Sequence, residues 1–88
     1  MQEIRILGIY IEPEFKYTQL LQDIFSMYGC IIRTRLGLND VGCMAKRNTG
    51  RLILLELVGN YSDMLNLESE LKKLKGLQVD KMLFLETS

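Results

Sequence analysis

Two strand–helix–strand units laid end to end account for nearly all of this chain, and that rhythm restricts its fold more than any other property. Residue alternation and helical spacing predict a strand over Glu3–Glu12, a helix over Glu14–Tyr28 and a strand over Cys30–Gly37. After a polar connection they predict a strand over Gly50–Val58, a helix over Tyr61–Lys75 and a strand over Leu77–Leu85. The order βαββαβ is the split βαβ, ferredoxin-like arrangement: an α+β two-layer sandwich with a four-stranded antiparallel sheet and two helices on one face. Eighty-eight residues suit one such domain, spanning 1–88.

The first strand carries a further constraint. Successive side chains of a strand point to opposite faces, so Ile4, Ile6 and Tyr10 share one face while Leu7, Ile9 and Ile11 share the other. A strand apolar on both faces belongs in the interior of a sheet covered on both sides. Two helices cover only one. A chain of this size buries roughly 60–65% of the surface it exposes when unfolded, yet 48% of its residues are apolar. The surplus predicts a subunit interface, a homodimer or higher homo-oligomer in which another copy covers the bare face.

Helix punctuation is legible in both units. Pro13 suits a first helical turn, where its missing N–H costs nothing, and Glu12 and Glu14 place negative charge at the positive end of the helix dipole. Tyr17, Leu20, Leu21, Ile24, Phe25 and Tyr28 recur at three- and four-residue spacing as one apolar stripe, and Gly29 suits a left-handed cap. In the second helix Asn60 and Asp63 resemble a capping box, Met64, Leu67, Leu71 and Leu74 form the stripe, and Glu68–Lys72 is an i,i+4 pair in the favoured order. Lys72, Lys73 and Lys75 crowd its C-terminal end before Gly76, where they compensate the dipole; an anion would be repelled there.

In the second strand Arg33 and Arg35 are expected on the face of Ile31, with Cys30, Ile32 and Leu36 on the other. Charges there either protect a sheet edge from aggregation or wait for a carboxylate or phosphate. The connection Leu38–Thr49 is long for a hairpin, and its apolar middle, Val41–Ala45, reads as a functional loop or an interface arm. Two cysteines do not make a disulfide framework. Strand geometry holds Cys30 and Cys43 apart, so both are expected reduced, Cys30 buried and Cys43 more exposed.

Several functions are excluded by what the chain lacks. It has no histidine, the commonest general acid–base and metal ligand. It has no CxxC and no phosphate-binding glycine loop, so no metal, cofactor or enzymatic activity is expected. Eleven basic residues balance eleven acidic ones, and the third strand carries no aromatic to stack a base, which argues against direct binding of nucleic acid. No apolar run of about 18 residues is present to span a bilayer and no export signal is legible, so no membrane association is expected and the cytoplasm is the expected compartment.

The helix end at Tyr28-Gly29 leads through Ile31-Ile32 into Arg35-Leu36-Gly37; Ser62-Asp63 opens the second helix; Gly76-Leu77-Gln78-Val79 enters the last strand. In these three places the chain resembles the small ACT-like domains assigned to regulation of the iron-only hydrogenase system. The connection after Arg35-Leu36-Gly37 departs from that group, being longer and opening with Leu38-Asn39. The glycine that amino-acid-binding ACT domains carry after the first strand is replaced by Glu12-Pro13-Glu14, so amino-acid binding does not transfer, and nickel binding would need histidines.

The resemblance implies a non-enzymatic regulatory domain that senses a small-molecule effector at a homo-oligomer interface. By position it nominates Glu12, Pro13, Glu14 and Phe15 at the first strand–helix junction, with Arg33, Arg35 and Gly37 as groups supplied by a neighbouring subunit's strand. The alternative is a ligand-free protein–protein assembly module. A cofactor-independent enzyme using Tyr10, Tyr17 or Tyr28 is a distant third.

Overall fold

The structure, a computed structural model, describes residues 2–38 and 50–86. Its elements are β1 (Gln2–Ile11), α1 (Thr18–Met27), β2 (Ile32–Leu38), β3 (Arg51–Leu57), α2 (Tyr61–Lys72) and β4 (Leu77–Glu86). The sheet order is β2-β3-β1-β4 with every neighbouring pair antiparallel, which is the ferredoxin-like βαββαβ fold. The readings of Cys43 and of the connection after Leu38 fall outside the described residues.

β1 occupies the interior of the sheet, as a strand apolar on both faces requires. Leu7, Ile9 and Ile11 are buried with Ile53, Leu55 and Leu57 of β3, beneath Leu21, Ile24 and Phe25 of α1 and Met64, Leu67 and Leu71 of α2. Each such side chain contributes about 1.5–3 kcal/mol relative to remaining in water. The even-numbered residues of β1 face the other way. There Ile4 lies opposite Phe84, Ile6 opposite Met82 and Glu56, and Tyr10 opposite Leu52. No described element covers this face, and Tyr10, Leu36, Leu52, Met82 and Phe84 are all exposed on it.

The strands differ in reach. β4 follows β1 over ten residues without a register break, whereas β3 joins β1 only from Arg5 to Ile11. Gln2–Ile4 and Phe84–Glu86 therefore form a two-stranded ribbon running past β3. From Met82 to Leu85, β4 is about half exposed on both faces.

Several local expectations are corrected. α1 begins at Thr18, not at Glu14. The Phe15 N–H donates to the Glu12 carbonyl at 3.0 Å, closing a turn with Pro13 at its second position, where a fixed φ is favourable. Glu12 and Glu14 thus precede the helix and do not charge its first turn. Tyr17 and Leu20 of the expected stripe are about half exposed, outside the core. Gly29 is not a left-handed cap; the chain leaves α1 through successive turns in which Ile31 N–H donates to Tyr28 O and Ile32 N–H to Gly29 O. These turns delay β2 to Ile32 and leave Cys30 outside it and exposed, not buried.

A bulge between Ile32 and Thr34 also overturns the expected faces of β2. The extra residue resets the alternation, so Ile32, opposite Leu57, and Arg35, opposite Leu55, both lie on the helix side. α2 ends at Lys72, one turn earlier than its stripe suggests. Its start is as expected: Asn60 Oδ1 accepts from Ser62 N–H at 2.8 Å and, more weakly, from Asp63 N–H at 3.4 Å.

Within the core sits one ionic centre. Arg5 is on the helix side of β1 and almost fully buried, with Glu68 of α2 beside it. Arg5 Nη1 donates to Glu68 Oε1 at 3.1 Å, and its Nη2 and Nε donate to Glu3 Oε2 at 3.1 and 3.2 Å. The other Glu68 oxygen accepts from Lys72 Nζ at 3.0 Å and Lys81 Nζ at 3.1 Å. The Arg5 guanidinium also lies 5.3 Å from the Tyr61 ring centre. Among the described residues no buried side-chain nitrogen or oxygen lacks a partner. One carboxylate thus ties α2 to both β1 and β4.

Burial by itself would raise the Glu68 pKa, but the hydrogen bonds from Lys72 and Lys81 and their positive charges outweigh it, leaving the carboxyl below its ordinary 4.5. A depressed folded-state pKa contributes stability that is complete above the unfolded value and lost as pH falls through the folded one. Removing one partner of a buried pair costs about 3–5 kcal/mol. Glu68→Gln is accordingly expected to lower stability by roughly that amount in urea unfolding at neutral pH. It should also flatten the decline of stability below pH 4.5 that the lowered Glu68 pKa predicts for the native protein, as urea unfolding across pH measures.

Candidate functional site

The chain leaves β1 at Glu12 and returns to the sheet at Gly76, and the two points are bonded: Glu12 N–H donates to the Gly76 carbonyl at 2.9 Å. Between the Glu12–Tyr17 segment and the Lys75–Gly76 turn lies a cleft of about 400 Å³, lined by Glu12, Glu14, Phe15, Lys16, Tyr17, Lys75 and Gly76. Its size is within the range of small-molecule sites.

The cleft wall is built around one glycine. Gly76 has φ +95°, a conformation that costs a residue with a Cβ, and Phe15 packs against it so closely that an added Cβ would lie 3.1 Å from the ring. Phe15, half-buried against the core, turns its ring toward Tyr17 in an edge-to-face pair with centroids 5.9 Å apart at 74°. Two carboxylates, Glu12 and Glu14, and two ammonium groups, Lys16 and Lys75, complete the lining. None of these four is ion-paired with another described residue. The site therefore offers both signs of charge beside an aromatic surface, which suits a small molecule bearing both signs and a flat apolar part.

The nominated residues separate into two groups. Glu12, Glu14 and Phe15 line the cleft, with Pro13 shaping the turn that holds them. Arg33, Arg35 and Gly37 belong to β2, on the opposite edge of the sheet and two strand spacings (about 10 Å) from β1. Arg35 Nη2 donates to Gln22 Oε1 at 3.2 Å, and its guanidinium stacks 4.5 Å from the Phe25 ring centre. Arg33 lies exposed at the bulge, and Gly37 has open space where a Cβ would project. Within one copy these three do not reach the cleft.

Lys16, Lys75 and Gly76 are contributions that the sequence reading did not assign to a site, and Tyr17 entered it only as a catalytic group of the third reading. A legible signal was available: in this topology the first strand–helix junction and the entry to the last strand sit at the same end of neighbouring strands. Arg5 and Glu68 were also missed as a pair. Each is a charge placed on an otherwise apolar face, Arg5 in phase with Leu7 and Ile9, Glu68 between Leu67 and Leu71. Among the described residues no group of three or more His, Cys, Asp or Glu side chains could hold a metal, and no helix is long and apolar enough to cross a membrane.

No protein-family model and no curated protein matches the chain. Among solved structures, the fold is similar to that of the uncharacterized protein TM1266 from Thermotoga maritima, with a TM-score of 0.77 over 96% of this chain and 100% of that one at 19% sequence identity. At that identity the likeness establishes the architecture.

Because Gly76 holds both the positive φ and the contact with Phe15, Gly76→Ala is expected to cost about 1–3 kcal/mol. Thermal or urea unfolding measures the loss. The same substitution at Gly37, where space is open and φ is not positive, should leave stability within about 0.5 kcal/mol.

Proposed function

We propose that this chain is a non-enzymatic regulatory domain that senses a small molecule in the cleft at the β1–α1 junction while assembled as a homo-oligomer, in the manner of the ACT-like regulators it resembles. The observation that carries this reading is the set of four charges, none ion-paired with another described residue, around the Phe15–Tyr17 pair, at the junction the resemblance nominates. Such a site can orient a ligand without chemistry to perform on it. The absence of histidine from the sequence supports a binding role over a catalytic one. The exposed apolar residues on the open sheet face support assembly. The cytoplasm is the compartment proposed for it, and a link to the hydrogenase system rests on the resemblance alone.

A ligand-free assembly module is the second reading. It is favoured by the same open face, which is apolar and needs no effector to be covered.

A thermal-shift screen of amino acids, nucleotides and small anions separates the two. A true ligand at about 100 times its dissociation constant adds ~2.7 kcal/mol of stability. The regulatory reading expects at least one stabilising zwitterionic or ionic compound, and expects Lys75→Ala and Glu12→Gln to abolish its effect. Arg35→Ala should weaken binding only if a neighbouring copy's β2 faces the cleft. No shift across the whole library would leave assembly as the function.

A further inference from the structure

Gly8 sits in the middle of β1, and nothing described within the chain calls for a glycine there. β1 stays in register with β3 and β4 through Gly8, so it marks no bulge. Its φ is not positive, and among the described residues an added Cβ would meet only Leu54 Cδ2, at an ordinary 3.7 Å. A glycine inside a strand weakens it, and one without a bulge marks a place where a ligand or another chain approaches closely. Gly8 belongs to the open face, between Ile6 and Tyr10 along β1 and between Leu54 and Asp80 across the sheet. There it floors a notch of about 170 Å³ lined with Ile6, Asp80, Lys81 and Met82. That is smaller than a small-molecule site and suits one long side chain.

The charges around the notch have one sign. Asp80 stands directly opposite Gly8, Glu56 lies beside Ile6 on β3, and Glu86 lies further along β4. Asp80 Oδ1 accepts from the Lys81 backbone N–H at 2.8 Å, and Glu56 Oε1 accepts from Thr34 Oγ1 at 2.8 Å. Neither carboxylate is ion-paired with a described residue. The Lys81 ammonium is on the helix side, held by Glu68. Arg33, at the β2 bulge, is three strand spacings (about 14 Å) from β4.

We infer that the open face docks an amphipathic helix of another protein, whose apolar stripe lies over Ile6, Leu54, Met82 and Phe84 and which sends a lysine or arginine into the Gly8 notch to meet Asp80. A sheet face has spent its backbone hydrogen bonds on the ladders, so a partner must arrive with its own backbone satisfied, as a helix does. A helix about 10 Å across covers two strand spacings, the distance from β3 to β4. The stem of the basic side chain packs along Ile6 and Met82 while its charged head reaches the carboxylate. Glu56 and Glu86 favour further positive charge on the flanks of the helix. A second copy fits less well, because the strand-paired positions of its open face bring the same three acids and no described lysine or arginine.

This inference rests on the second reading above, assembly through the open face, and names its partner. The effector cleft takes no part in it.

The test uses a fluorescein-labelled synthetic helix of about 18 residues (~27 Å) with a leucine stripe and lysines elsewhere, beside a twin with glutamate at every lysine. In fluorescence anisotropy the native protein is expected to bind the lysine peptide at least about tenfold more tightly than its twin. Asp80→Asn, which keeps the shape and removes the charge, should weaken binding about tenfold, and Gly8→Val, which fills the notch, by a similar factor. Glu70→Gln, on α2, should leave it unchanged. Far-UV circular dichroism checks that the variants fold; should Gly8→Val fail, Asp80→Asn decides alone. Equal affinity for the two peptides, or full affinity in Asp80→Asn, overturns the inference. A protein that binds neither peptide but forms a dimer in light scattering, dissociated by Met82→Asp, assigns the face to a second copy: assembly stands and the helix partner falls. A monomer that binds neither peptide overturns both. Co-sedimentation with phosphatidylcholine vesicles, lost in Phe84→Asp, assigns the face to a bilayer and overturns the inference as well.

Discussion

β1 is the strand from which every other element takes its place. Its odd positions from Arg5 to Ile11 are buried beneath two helices, and its even positions face outward from the same backbone. Because side-chain direction alternates without exception along a regular strand, a slip of one residue would exchange the two sets and put Arg5 on the outer face. The pairing with β3 and β4 is therefore held in register by what each face must contact. The Glu12–Tyr17 segment and its cleft begin where β1 ends.

The Arg5–Glu68 centre makes that register unambiguous. Apolar side chains of similar volume would fill the space between β1 and α2 equally well, and replacing a buried ion pair in that way is often neutral or favourable. The pair instead discriminates: a carboxylate accepting from Arg5, Lys72 and Lys81 at once has only one arrangement of β1, α2 and β4 in which its oxygens are satisfied. Such a centre ties the position of α2 over β4 to the pairing of β1 with β4, and α2 leads on into the Lys75–Gly76 turn.

The architecture was legible because it depends on periodicity. Alternation in β1 and the Met64–Leu67–Leu71 spacing in α2 each survive errors of a few residues at the ends. Local endings were less legible, since they depend on single hydrogen bonds. Pro13 is acceptable both in a first helical turn and at the second position of a β-turn, and the Phe15–Glu12 bond decides between them. Gly29 permits a left-handed cap without requiring one. The β2 bulge has no marker among Ile32, Arg33 and Thr34, yet one extra residue was enough to bring Arg35 onto Phe25. The cleft was half legible: Glu12, Glu14 and Phe15 are contiguous, whereas Lys75 and Gly76 are distant in sequence and meet them only through the Glu12–Gly76 bond.

The bulge in β2 has a numerical consequence. A sheet with two open edges can add neighbours without end, as fibrils do, whereas a closed barrel adds none. A sheet blocked at one edge and free at the other stands between these cases. It can accept one neighbour, and if that neighbour arrives by a two-fold operation its own free edge is consumed in the same event. A single inserted residue on the far side of the molecule would by that geometry limit edgewise growth to two copies.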